Sequence, residues 1–258
     1  MKNFNLENKT VLITGASRGI GFGIAEAFAK QKADIFILSD GNDIFEAEKK
    51  LSLLSNKKIK SFKCDISNKK NVKKMISEID NLDILINNAG LEKPTPINDL
   101  DNQIDENFER IIEINVLGTY YVTRYILPKM SKGGSIVITS SIWGKTAVAN
   151  FSAYCASKHA NIGFMRALSK ELGPLGIRVN AVCPGWVETT SAMNSLNWIS
   201  TKFNLDKKDL LNDIISSQSM EGLMKPLDVS QLYLYLASSF SSNITGQAIN
   251  IDRGEVLG

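Results

Sequence analysis

Tyr154 and Lys158 are the residues of this chain whose types and spacing point most directly to chemistry. They lie four positions apart in "YCASK", at the start of a segment with helical periodicity, so both side chains share one helix face. A phenol with a pKa of about 10 is a poor base at neutral pH, and a nearby ammonium favours the phenolate. The pair is therefore a candidate for proton exchange with a substrate oxygen. An exposed Tyr and Lys on a helix would show the same spacing, so companion motifs must decide.

A glycine-rich turn near the N-terminus is a candidate phosphate site. The segment "TGASRGIG", residues 14–21, follows an apolar run and precedes an apolar helical segment. Glycines permit a tight turn that leaves backbone N–H groups and a helix N-terminus aimed at a pyrophosphate. A purely structural strand-to-helix turn is the alternative, but the strand before and the helix after favour a dinucleotide site. The candidate contacts are Gly15, Ser17, Arg18, Gly19, Ile20 and Gly21.

Short β-branched runs alternate with helical segments along the whole chain. They predict seven strands, at residues 10–14, 34–38, 59–64, 82–87, 135–140, 177–183 and 247–252. Apolar runs without strict alternation are typical of parallel strands covered on both faces. The pattern predicts an α/β, Rossmann-type, doubly wound, seven-stranded parallel sheet in a single domain over residues 1–258. An insertion at about residues 191–224 is the predicted substrate lid.

Composition excludes several other classes of protein. The formal net charge is +3 and the lysines are scattered, so a nucleic-acid partner is not expected. No apolar run reaches the roughly 18 residues of a membrane span, so no membrane partner is expected either. Cys64, Cys155 and Cys183 lie far apart and form no metal-ligand pattern, so no metal is expected. A cytoplasmic protein is predicted.

Four motifs resemble the short-chain dehydrogenase/reductase family in order and spacing. They are "TGASRGIG", "NNAG" at 87–90, "YCASK" at 154–158 and "CPGWVETT" at 183–190. The resemblance covers essentially the whole chain. It implies an NAD(P)-dependent oxidoreductase that interconverts a secondary alcohol and a ketone by hydride transfer, with Tyr154 as general acid/base.

The same resemblance assigns further catalytic residues. Lys158 would also hold the nicotinamide ribose hydroxyls, and Ser141, rather than its neighbour Ser140, would hydrogen-bond the substrate oxygen. Asn115 in "IIEINVLG" would kink its helix and bind a water that relays protons to the lysine. A buried Asn satisfied by protein groups is the alternative for Asn115.

Other cofactor contacts are also implied by the resemblance. Asp65 would accept from the adenine amino group, with Ile66 packing on the ring, although Asp65 could equally cap the helix that follows. The remaining expected cofactor contacts are Asn88, Ala89, Gly90, Tyr154, Lys158, Pro184, Gly185, Val187 and Thr189.

The second strand carries the signals for the choice of dinucleotide. The ribose-reading position falls on Ser39, and the next residue is Asp40. A carboxylate repels the 2′-phosphate of NADP by roughly 1 kcal/mol in water at 4 Å, and by more when partly buried. Arg18 could pair with that phosphate or be a solvated side chain. The balance favours NAD over NADP.

The substrate end resembles the 3-hydroxybutyrate dehydrogenase branch of the family in "ADIFILSDGND", in "CPGWVET" and in the long insertion. That branch grips a carboxylate with polar and basic side chains, at positions that align with Glu92, Trp143 and Phe151. An acid and two aromatics are poor carboxylate partners. The hypothesis is therefore an uncharged or weakly polar ketone or alcohol, including cyclic and sugar-like compounds. Trp186 and Met193 would pack against it, unless the tryptophans are core residues.

Two other functions remain open on the sequence. An NADPH-dependent 3-oxoacyl-carrier reductase is favoured by Arg18 and disfavoured by Asp40. A catalytically idle dinucleotide-binding scaffold would be expected to lose the Tyr154, Lys158 and Ser141 set. The resemblance also implies a homotetramer or homodimer, assembled through helices at about 103–130 and 153–172 and through the C-terminal segment.

Overall fold

The computed structural model describes residues 3–257, so residues 1, 2 and 258 of the predicted domain lie outside the described part. The strands are β1 Thr10–Thr14, β2 Asp34–Ser39, β3 Ile59–Lys63, β4 Leu82–Asn87, β5 Met130–Thr139, β6 Arg178–Pro184 and β7 Ala248–Ile251. They form one seven-stranded sheet in the order β3-β2-β1-β4-β5-β6-β7, with every neighbouring pair parallel. The predicted single-domain Rossmann-type fold is confirmed.

Each central strand is buried on both faces because helices cover both sides of the sheet. Successive residues of a strand point to opposite faces, so Leu12 and Leu85 enter one core while Ile13 and Ile86 enter the other. The register aligns Leu12 with Leu85 and Ile13 with Ile86, which stacks side chains of similar size on each face. This explains why the strands read as continuous apolar runs.

The helices divide between the two cores. The helices are α1 Gly19–Lys30, α2 Asp43–Ser52, α3 Lys69–Ser77, α4 Asn102–Ile112, α5 Thr119–Ile126, α6 Ser152–Leu172, α7 Thr190–Phe203, α8 Lys207–Ser216 and α9 Pro226–Ala237. Most buried apolar residues of α1, α2 and α9 belong to one core, and most of those of α3, α5 and α6 belong to the other. Within the described residues, no helix has the length and apolarity needed to cross a bilayer.

The strand order reverses between β1 and β4. In doubly wound sheets a ligand crevice forms at such a reversal, outside the carboxyl ends of the strands. The turns after β1, β2, β4, β5 and β6 all emerge at this edge. The fold therefore brings the motifs of distant sequence positions to one place.

The insertion at 191–224 consists largely of two helices, α7 and α8, and few of their residues are buried. In α7 only Ser195 and Leu196 are buried, and no residue of α8 is buried. Strand β5 is longer than predicted because residues 130–134 extend it, with a register irregularity against Leu82. That extension includes two glycines and lacks the β-branched pattern on which the prediction depended.

Close packing of α1 on α9 gives a test of the fold. A Cβ added at Gly23 would lie 2.8 Å from backbone and side-chain carbons of Pro226. We therefore expect Gly23→Ala to destabilise the protein by about 1–3 kcal/mol through overpacking. Gly173, in helical backbone conformation just after α6, has nothing within 4 Å of an added Cβ, so Gly173→Ala is expected to be neutral or to stabilise by up to about 1 kcal/mol. Urea unfolding of both variants at one protein concentration checks this, and equal effects would contradict the packing.

Candidate active site

One cleft opens at the carboxyl edge of the sheet and encloses about 350 Å³. This volume lies within the range of roughly 300–1,000 Å³ typical of ligand sites. Every residue predicted to contact the cofactor lines it: Gly15, Ser17, Arg18, Gly19, Ile20, Gly21, Ser39, Asp40, Asp65, Ile66, Asn88, Ala89, Gly90, Tyr154, Lys158, Pro184, Gly185, Val187 and Thr189. The sheet edge thus unites all the sequence motifs.

The glycine-rich turn packs so tightly against itself and Ala89 that Gly15 and Gly21 leave no room for side chains. Gly15 has a φ of +65°, and a Cβ on Gly21 would lie 2.1 Å from the Gly15 carbonyl oxygen. Helix α1 begins at Gly19, and no side chain caps its first turn. The N–H groups of that turn are therefore available to an anion, which fits a pyrophosphate.

The segment after β4 is tied to this turn. Thr14 Oγ1 accepts hydrogen bonds from the backbone N–H groups of Asn88 and Ala89, each at 2.9 Å. Asn88 Nδ2 donates to the carbonyl of Gly15 at 3.2 Å. These bonds fix the "NNAG" segment against the glycine turn and so define the floor of the cleft.

Asp65 lies after β3 and is held by neighbouring groups. Its Oδ2 forms an ion pair with Arg110 at 2.7 Å, and its Oδ1 accepts from the backbone and hydroxyl of Ser67. Burial raises the pKa of Asp65, but the hydrogen bonds from Arg110 and Ser67 outweigh it and leave the pKa lowered. The alternative in which Asp65 caps the following helix is wrong, because Asn68 is the cap of α3.

The end of β2 carries two acids rather than one. Asp40 is exposed at the rim of the cleft, and Asp43 begins α2 three residues later. Arg18 pairs with Asp43 at 3.1 Å, and both side chains are substantially exposed. Ser39 Oγ also lies 3.4 Å from the Asp43 carboxylate. The only basic residue of the glycine turn is thus already paired with a carboxylate.

Tyr154 and Lys158 both line the cleft, on the first two turns of α6. Lys158 Nζ lies 5.3 Å from the centroid of the Tyr154 ring. Lys158 is only 3% exposed, and its Nζ donates to the carbonyl oxygen of Thr139 at 2.9 Å. The alternative of two exposed residues on a helix surface does not hold for this pair.

The titration of the pair differs from the sequence-based expectation. Burial raises the pKa of Tyr154 well above its usual range, the Glu92 carboxylate raises it further, and a hydrogen bond with Ser141 acts in the opposite direction. Burial also lowers the pKa of Lys158 to about 8, against the opposing effect of Glu92. The prediction that the ammonium makes Tyr154 more acidic is therefore wrong for the protein alone. Desolvation of the phenol is the larger effect.

Of the two adjacent serines, Ser141 is the one whose hydroxyl group hydrogen-bonds with Tyr154. Ser140 Oγ donates to the carbonyl oxygen of Lys158 at 2.9 Å and is used in fixing α6. Ser141 Oγ accepts from the Trp143 N–H at 3.2 Å, and its hydrogen bond lowers the pKa of Tyr154.

Asn115 lies in a π-helical turn, Glu113–Gly118, between α4 and α5, as the predicted helix kink requires. Its amide exchanges two hydrogen bonds with the backbone of Leu91, at 2.7 and 3.0 Å, and donates to Ser157 Oγ at 2.9 Å. Protein groups thus satisfy the hydrogen bonds of the buried Asn115 amide, which agrees with the alternative of a structural Asn. It does not line the cleft itself but holds the segment that does.

Three of the five predicted substrate contacts line the cleft: Glu92, Trp143 and Trp186. Phe151 does not, because it is fully buried behind Trp143, with ring centroids 5.7 Å apart. Met193 is also outside the lining, which ends on α7 at Ala192. The aromatic wall of the cleft is therefore narrower than predicted.

Sequence reasoning missed three residues that matter to the site. Thr139 supplies the carbonyl that holds Lys158, Asp43 holds Arg18, and Ser195 on α7 donates to Glu92. Backbone acceptors such as that of Thr139 leave no signal in residue type. Asp43 could have been found as a second acid on the first turn after β2, whereas Ser195 depends on tertiary packing.

A family model and known sequences match almost the whole length of this chain. The family described as enoyl-(acyl carrier protein) reductase matches residues 15–255. Oxidoreductase UcpA of Salmonella typhimurium is 35% identical over 260 residues, which cover 98% of this chain and 96% of that protein. The 3-oxoacyl-(acyl-carrier-protein) reductase FabG of Chlamydia trachomatis is 31% identical over 261 residues, which cover 96% of this chain and 98% of that protein.

Solved structures of dehydrogenases and reductases also match almost the whole chain. Ligand-free aldohexose dehydrogenase of Thermoplasma acidophilum has a TM-score of 0.84 and 30% identity, over 98% of this chain and 96% of that one. A short-chain dehydrogenase of Burkholderia cenocepacia in complex with NADP has a TM-score of 0.85 and 26% identity, over 97% and 98%. A 3-oxoacyl-(acyl-carrier protein) reductase of Brucella melitensis with bound NAD has a TM-score of 0.83 and 29% identity, over 98% and 92%.

These names do not specify a branch of the family, so the similarity to 3-hydroxybutyrate dehydrogenase stays a prediction. The matches nevertheless run from the first glycine of the phosphate turn to the C-terminal segment. The chain therefore belongs to the short-chain dehydrogenase/reductase family and is an NAD(P)-dependent oxidoreductase.

Proposed function

We propose that the protein interconverts an uncharged secondary alcohol and the corresponding ketone. The observation that carries this proposal is the juxtaposition of Tyr154, Ser141 and Lys158 in the cleft that also contains the glycine-rich turn. An idle scaffold gives no reason to bury a phenol and an ammonium side by side, because burial of each polar group costs free energy.

The bound dinucleotide supplies or accepts the hydride at the reacting carbon, and this chain handles the proton. Tyr154 donates its phenolic proton to the substrate oxygen in reduction and takes it back in oxidation. Ser141 holds that oxygen, and Lys158 stabilises the phenolate that donation leaves behind. The neutral phenol favoured by burial is the form that reduction consumes.

Asn115 acts in this proposal as a positioning residue. Its hydrogen bonds with Leu91 hold the strand-to-loop segment between Gly90 and Glu92 at the cleft. A Cβ on Gly90 would lie 3.3 Å from Lys158 Nζ, so this segment packs directly against the ammonium. Asn115 therefore fixes the surroundings of Lys158 without touching substrate.

The residues that would hold the dinucleotide follow from the cleft. The N–H groups of the glycine turn would bind the pyrophosphate, and Asp65 and Ile66 would contact the adenine. The lining segment from Pro184 to Thr189 would orient the nicotinamide, and Lys158 would bind its ribose. In support, the residues of this turn line the cleft, and no side chain caps the first turn of α1.

We infer a preference for NAD over NADP from the charges at the end of β2. A 2′-phosphate there would meet two carboxylates, Asp40 and Asp43, and Arg18 is already paired with Asp43. Relatives with bound NAD and with bound NADP are both known, so local charge is the argument that distinguishes them here.

The substrate proposal depends on the lining of the cleft. Trp143 and Trp186 provide apolar faces, and Glu92 disfavours a substrate carboxylate. The similarity to an aldohexose dehydrogenase supports an uncharged, sugar-like substrate. The similarity to 3-oxoacyl-carrier reductases supports the second candidate, which the acids at Asp40 and Asp43 disfavour if it requires NADPH.

We also propose that α7 and α8 form a substrate lid and that the protein is a cytoplasmic homotetramer or homodimer. The lid is supported by the thin packing of both helices and by the first residues of α7, which line the cleft. Association through α4, α5 and α6 is supported by partly exposed apolar side chains, among them Phe108, Leu117 and Tyr120. Three free, buried cysteine thiols support a reducing compartment.

Removal of the phenolic hydroxyl tests the proposed chemistry. We expect Tyr154→Phe to lower kcat/KM for ketone reduction by about 10²–10⁴-fold, the usual contribution of general acid catalysis, while NADH binding is retained. The measurements are steady-state kinetics on a panel of uncharged ketones and calorimetric titration with NADH. Tyr121→Phe, on α5 and outside the cleft lining, is the matched control. Full turnover by Tyr154→Phe would contradict the assignment, and an inactive parent on every ketone and alcohol would favour the scaffold.

Removal of the Asp43 charge tests the cofactor preference. We expect Asp43→Asn to raise the NADPH/NADH ratio of kcat/KM by about tenfold, because roughly 1 kcal/mol of repulsion is lost and Arg18 is released. Adding Arg18→Ala to this variant is expected to reverse the part of the gain that the released Arg18 contributes. Asp80→Asn removes the same charge from an exposed site outside the cleft lining and is the control. A parent that already prefers NADPH would show that the inferred preference is wrong.

A further inference from the structure

Helix α9 contributes a buried phenol next to the carboxyl end of β5. Tyr233 is fully buried in the core that α9 shares with α1 and α2, and its hydroxyl oxygen lies 2.8 Å from Thr139 Oγ1. Burial raises the pKa of Tyr233, against the effect of its hydrogen bond with Thr139, so the phenol stays protonated at neutral pH. A polar group in an apolar core is costly unless it is hydrogen-bonded, and Thr139 meets this requirement. The proton-transfer step does not use this phenol.

Thr139 connects the two faces of the sheet. Side chains alternate along a strand, so Thr139 points to the same face as Ser135 and Val137. That face is covered by α9, because Val137 belongs to its core and Ser135 Oγ donates to the carbonyl of Leu236 on α9. The Thr139 carbonyl oxygen, in contrast, accepts from Lys158 Nζ of α6 at 2.9 Å. The acceptor of the buried ammonium thus belongs to a residue whose side chain is held by α9.

The hydrogen bonds of the Thr139 side chain run in one direction. The amide nitrogen of Asn88 donates to the carbonyl oxygens of Thr14 and Gly15, which leaves Asn88 Oδ1 as an acceptor. Thr139 Oγ1 donates to this oxygen at 3.4 Å. Because that proton is already used, Tyr233 is the donor in its hydrogen bond with Thr139.

The bond from Tyr233 is the shorter of the two that hold this side chain. Strand β5 ends at Thr139, so the side chain supplies support where the strand stops. Without the Tyr233 hydroxyl group, Thr139 would keep only the longer contact with Asn88. The carbonyl that holds Lys158 would then be fixed less firmly.

We propose that Tyr233 is a positioning residue for the reaction, whose hydroxyl group holds Thr139 so that the Thr139 carbonyl keeps the Lys158 ammonium beside Tyr154. Ser141 lies two residues beyond Thr139, so the same contact steadies the hydroxyl group that holds the substrate oxygen. The effect on turnover depends on the proposed alcohol/ketone chemistry. The effect on Lys158 is a property of the protein alone.

Tyr233→Phe tests this role, because it removes the hydroxyl group and keeps the ring that fills the core. A less firmly held acceptor stabilises the ammonium less. We therefore expect the NMR signal of Lys158, assigned with Lys158→Met, to titrate about 0.5–1 pH unit lower than in the parent, the equivalent of one neutral hydrogen bond. The titratable groups that face this ammonium are Glu92, Cys183 and Tyr154, and the variant retains all three.

Kinetics and cofactor binding are measured on the same variant. For reduction of cyclohexanone with NADH at pH 7, kcat is expected to fall by about 3–10-fold, again the equivalent of one hydrogen bond. The Kd for NADH, from calorimetry, is expected to change by less than about threefold, because the other hydrogen bonds of Asn88 still hold the glycine turn.

Tyr235→Phe is the matched control, because it removes the same group from a partly exposed position on the same helix. A double-mutant cycle shows whether Tyr233 acts through Thr139. In the Thr139→Val background, which lacks the hydroxyl group that Tyr233 contacts, Tyr233→Phe is expected to cause no further shift of the Lys158 titration.

A purely structural Tyr233 would lower the free energy of unfolding in urea and leave the Lys158 titration where it is in the parent. That result would overturn the inference, as would equal shifts in Tyr233→Phe and Tyr235→Phe or a full further shift in the Thr139→Val background. A shifted Lys158 titration in a protein that does not reduce cyclohexanone would support the inference and count against the proposed reaction alone.

Discussion

Burial of the Lys158 ammonium beside the Tyr154 phenol is the constraint on which the rest of the site depends. A buried cation is costly unless it is hydrogen-bonded, and Lys158 meets this requirement through the carbonyl of Thr139, at the end of β5. That carbonyl is rigid because β5 pairs with β4 and β6 on either side. The sheet therefore fixes the ammonium, and α6 fixes the phenol one turn earlier.

Glu92 completes the electrostatic balance of this site. It raises the pKa of both Tyr154 and Lys158, so it helps to keep the phenol protonated and the amine charged. Burial favours the neutral form of each group, so it raises the pKa of the Tyr154 phenol and lowers the pKa of the Lys158 amine. Below pH of about 8 the result is a neutral phenol next to a charged ammonium, and above that pH the amine loses its charge.

Much of the fold and of the cofactor cleft could be predicted because they leave local signals. Apolar runs marked the seven strands, and the glycine turn with its flanking elements marked a strand-to-helix turn that lines the cleft. Side chains whose placement depends on tertiary packing were harder to predict. Phe151 is a core residue because the helix start at Ser152 places it behind Trp143, and Ser195 meets Glu92 only because α7 folds back over the cleft.

The sign of the Tyr154 pKa shift could not be predicted from the spacing of two residues. The i, i+4 pattern shows that a cation is near, but it does not show how completely both groups are removed from water. Here desolvation is the larger effect on the phenol, and a second charge from a distant segment, Glu92, adds to it. The same burial explains the lowered pKa of Lys158.

The most direct test of this account is an NMR titration of the protein alone, with labelled tyrosine ring carbons and labelled lysine side-chain carbons. Spectra of Tyr154→Phe and Lys158→Met assign the two signals. We expect the Lys158 signal to titrate near pH 8, while the Tyr154 signal shows no ionisation below the ordinary phenol value of about 10. A Tyr154 phenol that ionises near neutral pH, beside a lysine with an ordinary pKa, would contradict it.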